Sequence, residues 1–140
     1  VLHDTEAKEV RDFYTYYKSA VAGGTSVYAA YEFVADIIEK EQLAKENNIY
    51  IFHGTDGDDW EENGERSIAA IKKMIPDLSR MGITVAKNAW TSIDKTTTVE
   101  NYMNESGLLK DKAELIKMDT FSAEEATESR IINGIKKLIS

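Results

Sequence analysis

Three aspartates, Asp56, Asp58 and Asp59, sit almost side by side in the stretch IYIFHGTDGDDW, Ile49–Trp60. Carboxylate oxygens are the donors that hard divalent cations prefer. Two carboxylates two residues apart are also what a metal-dependent phosphohydrolase would use, Asp56 as nucleophile and Asp58 as the second acid, with His53 as a base. The same letters make an ordinary turn, since Asp-Gly is a common turn pair. A calcium loop of the EF-hand type fails in both registers. Started at Asp59, the string DWEENG fits, but the twelfth position is Ala70, where a bidentate glutamate is required. Started at Asp56, it places Glu61 where glycine belongs and Ser67 where glutamate belongs. A third chemistry joins two glycine-bearing turns. AGGTS, Ala22–Ser26, carries a threonine, Thr25, just ahead of a helix, and GTDGD ends a strand. A hydroxyl and a carboxylate from two neighbouring strand-end loops can share one magnesium or manganese ion, and magnesium typically takes one or two protein carboxylates beside its waters. Gly23 and Gly24 have no Cβ, so the backbone there can approach a ligand closely.

The elements that must position these residues follow from periodicity. Val1–His3 and Ala7–Val10 predict a short strand pair around Asp4–Glu6, and Arg11–Ser19 a helical stretch whose Phe13, Tyr14, Tyr16 and Tyr17 read as packing residues. Val27, Tyr31, Val34, Ile37 and Ile38 form an amphipathic helical stripe with Thr25 or Ser26 as its N-cap. Asn48–His53 reads as a buried strand. Ile68, Ile71, Ile75 and Leu78 mark a helix through Glu65–Arg80, which Pro76 kinks or cuts short, with Gly82 as its stop. Ile83–Lys87 then forms a second buried strand, Thr97–Glu105 a helix and Glu114–Met118 an edge strand with Phe121 beyond. Ser122 and Glu125 have the spacing of a capping box, opening a helix with Ile131, Ile135 and Leu138 on one face. Strands alternating with helices predict an α/β fold with a parallel sheet and helices on both faces. Ligands bind such sheets at the C-terminal ends of the strands, where GTDGDD lies.

At 140 residues the chain is one domain, and 42% hydrophobic with 30% charged residues places it among soluble globular chains. Zero cysteines exclude disulfides and thiolate zinc sites and agree with a reducing, cytoplasmic setting. No apolar run approaches a membrane span. A net charge of −8 opposes nucleic-acid binding, which rests on neutralising phosphates. The lysine groups Lys110/Lys112/Lys117 and Lys136/Lys137 lack interleaved aromatics and read as solvated faces.

GGT, then a helix, then a strand ending in TDG is similar to the von Willebrand factor A domain, where these are the second and third loops of a metal-ion-dependent adhesion site. More narrowly, HDTEAKEV (His3–Val10), AGGTS and NIYIFHGTDGDDW (Asn48–Trp60) resemble the bacterial YeaH/YhbH family over about the first 90 residues. The resemblance implies a doubly wound, mostly parallel sheet. It matches Thr25 to the threonine of the second loop and Asp56 to the aspartate of the third, as ligands of Mg2+ or Mn2+. Asp58 and Trp60 match family positions, Asp59 stands where the family often has asparagine, and Gly24, Ser26 and His53 are candidates for supporting or partner contacts. The first loop, D-x-S-x-S, has no counterpart among these residues, and Ser92-Ile93-Asp94 is not such a loop. The expectation is a partial domain, 1–140, lacking its first strand, with weak or absent metal binding and self-association through an exposed sheet edge. The function implied is a non-enzymatic interaction module. Its ion would take an acidic ligand from a protein partner, in stress response or sporulation, alongside a serine protein kinase and a SpoVR-type protein. The alternatives are the phosphohydrolase using Asp56 and Asp58, or a structural domain with a vestigial site. His53 also reads as a wall residue, His3 and Glu6 as part of a solvated hairpin or, alternatively, as residues that support the ion's ligands from behind, and Trp60 as a partner anchor or a cover for the loop.

Overall fold

A computed structural model of the chain describes residues 1–19, 25–88 and 95–140. Gly23 and Gly24 of the AGGTS turn, and Ser92–Asp94, lie outside the described residues.

The chain opens on an antiparallel strand pair, β1 (Leu2–His3) and β2 (Ala7–Lys8), with His3 opposite Ala7. Asp4 makes the turn between them by accepting the Glu6 amide at 3.0 Å. Helix α1 (Phe13–Lys18) is capped by the Asp12 carboxylate on the Thr15 amide at 2.7 Å. It buries nothing. Phe13, Tyr14, Tyr16 and Tyr17 stand 54–78% exposed, so they are not the packing residues their clustering predicts. Helix α2 (Val27–Lys40) follows, burying Val27, Tyr31, Ala35 and Ile38 along the stripe read from the sequence.

The main sheet has three parallel strands, β3 (Ile49–Thr55), β4 (Leu78–Lys87) and β5 (Ile116–Ser122), in that order, with helices on both faces. Each crossover carries helix: α3 (Glu65–Met74) between β3 and β4, then α4 (Thr98–Glu105) and α5 (Leu108–Asp111) between β4 and β5. One face, with Ile51, Met81, Ile83, Val85 and Ile116, packs against α2, α3, α4 and α5 in one core that includes Val27, Ile71, Met74, Val99, Tyr102 and Met103.

The boundaries differ from the sequence reading in two places. Pro76 ends α3 early in a single 3-10 turn, Ile75–Asp77, and β4 starts at Leu78. Gly82, read as a helix stop, is therefore a mid-strand residue. A Cβ there would lie 2.8 Å from the Phe52 ring and 3.2 Å from Leu138, so glycine lets strand and helix approach. Nor is β3 buried on both sides. It is an edge strand whose inward residues Ile51 and His53 alternate with Tyr50 and Phe52, which are 57% and 55% exposed.

The second face carries one helix, α6 (Glu128–Ile139). Of the expected capping box, the Glu125 carboxylate accepts the Ser122 amide at 3.0 Å, but this opens a 3-10 turn, Ala123–Glu125, and Thr127 caps α6 itself. Gly134 and Leu138 are the buried residues of α6; Ile131, Ile132, Ile135 and Ile139 remain 42–54% exposed, and Ile131 and Ile135 are not core-facing as predicted. The helix is held by Asp119, 4% exposed on β5. Its carboxylate accepts from Arg130 at 2.7 and 3.0 Å and from Lys137 at 3.3 Å. Although burial raises the Asp119 carboxyl, its bonds to these two cations hold it below the usual carboxylate range. Stability from this group is therefore complete above the unfolded carboxylate pKa and is lost as pH falls through the lower folded value. Replacing Asp119 with alanine removes charge-assisted hydrogen bonds and should lower the urea unfolding free energy by about 2 kcal/mol. An unchanged midpoint would show that α6 is held by apolar contact alone.

Candidate functional site

Of the sequence-predicted residues, Thr25 and Asp56 come together at the C-terminal ends of β3 and β4. An open cleft there is lined by His3, Tyr16, Thr25, Gly54, Thr55, Asp56, Thr84 and Ala86. Its volume of about 510 Å3 suits a hydrated ion together with an incoming side chain better than a bare ion.

Two loops bring Thr25 and Asp56 to this cleft, and backbone bonds lock them together. The Trp60 amide donates to the Thr25 carbonyl at 3.1 Å, and the Ser26 amide donates to the Asp4 carbonyl at 2.7 Å. The segment entering α2 is thus held by the loop after β3 and by the β1–β2 turn. Asp59 completes the lock. Its Oδ1 accepts the Val27 amide and the Glu61 amide, both at 3.3 Å, and its Oδ2 accepts the Tyr102 hydroxyl at 3.1 Å. The N-cap of α2 is therefore supplied from across the site, by a carboxylate favourably placed at the helix N-terminus. Ser26 occupies the cap position but makes no side-chain cap bond, and its Oγ is buried without a hydrogen-bond partner. Thr25, read as a possible cap, is not spent on capping.

The aspartate loop is a genuine turn as well as a candidate ligand. Asp56 Oδ1 accepts the Asp58 amide at 3.0 Å, and Thr55 Oγ1 accepts the Gly57 amide at 3.1 Å. Gly57 has φ +94°, and a Cβ there would fall 2.4–2.5 Å from the Thr97 side chain, so the loop's close seat on the start of α4 requires glycine. The Gly57 carbonyl accepts the Val99 amide at 3.0 Å, anchoring the same seat. Asp56 is exposed at the cleft. Asp58 is exposed outside it, its carboxyl raised by partial desolvation and then by the charge of Asp56. Trp60 is 67% exposed and does not cover the loop. Gly24 lies outside the described residues.

His53 is not at the cleft. It is half-buried on the inward side of β3, where Nδ1 meets the Tyr31 hydroxyl at 2.8 Å and Nε2 meets His3 Nε2 at 3.1 Å. Burial, and then the neighbouring His3, push its pKa down to about 3, so it is neutral. Burial lowers His3 as well. The solvated-hairpin reading of His3 is accordingly wrong: it is half-buried, bound to His53, and faces the cleft. The residues that sequence reasoning missed are Tyr31, hidden as one member of a helical stripe, and Tyr102, whose hydroxyl reaches Asp59 from a distant helix. Among the described residues, no three His, Asp or Glu side chains converge as a ready-made metal site. What the cleft offers is a partial donor set, one hydroxyl and one carboxylate beside an imidazole.

The half-buried histidine pair has a consequence for acid stability. A histidine that stays neutral when folded but takes a proton when unfolded contributes stability above the unfolded pKa, near 6.5, which is lost as pH falls toward the folded value. For His53 that window runs from about 6.5 down to about 3. Between pH 6.5 and 5 the unfolding free energy should fall by about 2 kcal/mol through this residue, at up to 1.36 kcal/mol per pH unit. Urea titrations of the wild type and of His53→Gln check this; the variant should be flatter over that range, and parallel curves would contradict it.

Comparison with known proteins places the chain by sequence. It is 33% identical over 81 residues to a UPF0229 protein of Clostridium perfringens, covering 58% of this chain and 20% of that relative. To a UPF0229 protein of Ruminiclostridium cellulolyticum it is 32% identical over 74 residues, 53% of this chain and 18% of the relative. A UPF0229 protein of Clostridium botulinum matches at 25% over 121 residues, 82% of this chain and 30% of the relative. The chain thus spans about a fifth to a third of the length of the curated relatives it matches. No solved structure matches it. No helix among the described residues is long and apolar enough to cross a membrane. The model of the family described as a protein of unknown function, DUF444, matches residues 1–139, and the chain belongs to that family.

Proposed function

We propose that this chain is a von Willebrand factor A-like interaction module of the YeaH/YhbH type, in which Thr25 and Asp56 hold a divalent cation, Mg2+ or Mn2+. The observation that carries the reading is that these two side chains line one cleft while their loops are tied by the Trp60–Thr25 and Val27–Asp59 bonds. A hydroxyl and a carboxylate leave most of an octahedral ion's coordination to water and to an incoming ligand. A carboxylate from a partner protein completes it, and the exposed Trp60 beside the loop supplies the apolar anchor that interfaces favour. By the resemblance, the partners are a serine protein kinase and a SpoVR-type protein, in a cytoplasmic stress or sporulation response. The free edge of β3, with Tyr50 and Phe52 exposed next to it, is the surface for self-association.

The phosphohydrolase reading has less behind it. It needs Asp58 and a base at the reacting centre, whereas Asp58 stands outside the cleft and His53 is neutral, half-buried and committed to Tyr31 and His3. Calorimetric titration of Mg2+ and Mn2+ into the wild type and Asp56→Ala tests the proposal. The variant should bind at least about tenfold more weakly, the loss of one of few protein ligands. Equal affinity in the two would remove Asp56 from any metal role, and Asp56-dependent turnover of p-nitrophenyl phosphate would favour the hydrolase.

A further inference from the structure

The histidine at the cleft has one ring nitrogen with nothing to bind. His3 Nε2 is engaged by His53 Nε2 at 3.1 Å, and His53 Nδ1 by the Tyr31 hydroxyl at 2.8 Å. His3 Nδ1 is buried and, among the described residues, has no hydrogen-bond partner. Two proton arrangements satisfy the chain of contacts. In the first, Tyr31 donates to His53 and His53 donates to His3, which leaves His3 Nδ1 as a buried N–H with no acceptor. In the second, His3 Nε2–H donates to His53 Nε2 and His53 Nδ1–H donates to the Tyr31 oxygen, which leaves His3 Nδ1 as a bare lone pair and turns the Tyr31 O–H toward a different acceptor. Burying a polar group without a partner is costly in either case. Only the second can be satisfied by a cation.

We infer that His3 Nδ1 is a third protein ligand of the ion held at Thr25 and Asp56, which makes the site one for a transition-metal ion such as Mn2+ in preference to Mg2+. The inference rests on the metal reading above and sharpens it. His3 lines the same cleft as Thr25 and Asp56. The turn that follows His3 is bonded to the segment that carries Thr25, through the Asp4 carbonyl and the Ser26 amide at 2.7 Å. The contacts behind the ring are those of a metal-binding histidine. Such a residue commonly spends its other nitrogen on a hydrogen bond that fixes tautomer and orientation, and here His53, itself held by Tyr31, receives it. Imidazole nitrogen favours first-row transition metals, while Mg2+ takes oxygen ligands and keeps its waters. His3 is thus a selectivity residue, with His53 and Tyr31 as positioning residues.

Titration calorimetry with Mn2+ and with Mg2+ on the wild type, His3→Ala, His3→Gln and Asp56→Ala separates the claims, with a thermal melt confirming that each variant folds. The wild type should bind Mn2+ at least about tenfold more tightly than Mg2+. His3→Gln keeps a side-chain N–H for His53 and replaces the nitrogen ligand with oxygen; it should lose most of that preference while holding Mg2+ within about threefold. His3→Ala should lower Mn2+ affinity by about ten- to a hundredfold. Asp56-dependent binding with no Mn2+ preference, or with a preference that survives both His3 variants, overturns the role of His3 and leaves the metal reading standing. Binding that is absent, or the same in Asp56→Ala, overturns both.

Discussion

One carboxylate ties the site together. Asp59 accepts hydrogen bonds from the first amide of α2, from the Glu61 amide in its own loop and from the Tyr102 hydroxyl on α4. Three elements far apart in sequence meet there, and the position of Thr25 relative to Asp56 depends on it. A charged acceptor at a helix N-terminus is favourable on its own. In this place it also holds two loops in register, which is what a shared ligand site requires. Asparagine, which the resembling family often carries at this position, could serve the same ends, since an amide offers an oxygen to the two backbone donors and a nitrogen to a tyrosine hydroxyl.

The order of elements was legible because each long helix shows its 3.6-residue stripe and each strand a short β-branched run. That Asp56 follows a strand and Thr25 precedes a helix was legible, because glycine-bearing turns leave a sequence trace. What could not be read were contacts between distant side chains. Asp59 looked like one more acid in a turn, and only the approach of Val27 and Tyr102 makes it a cap and a clasp. His53 looked like a wall residue, which it is, but the His3–His53–Tyr31 chain spans residues 3 to 53 and has no local signature. The errors over β3 and α6 have one cause. Periodicity identifies an apolar stripe, not whether anything packs on it. Tyr50, Phe52 and the isoleucines of α6 are apolar residues on a face that one helix half covers.

That asymmetry bears on function. One sheet face closes a continuous core with α2 through α5, so the loops at the C-terminal strand ends are held on a rigid frame. Among the described residues α6 covers the opposite face only in part and the outer edge of β3 is unpaired, and the exposed aromatics of α1 stand near the cleft through Tyr16. These features suit the proposed binding module, with Tyr16 lining the polar cleft and Trp60 exposed at the end of the aspartate loop.

The central claim is that a divalent ion occupies the cleft between Thr25 and Asp56. The most direct measurement is paramagnetic broadening in the amide NMR spectrum on adding substoichiometric Mn2+. The account predicts that signals of Thr25–Val27 and Thr55–Asp58 are lost first, with that of His3 among them. Broadening spread over the acidic surface at Glu39, Glu41, Glu124 and Glu128, with the cleft residues spared, would contradict it.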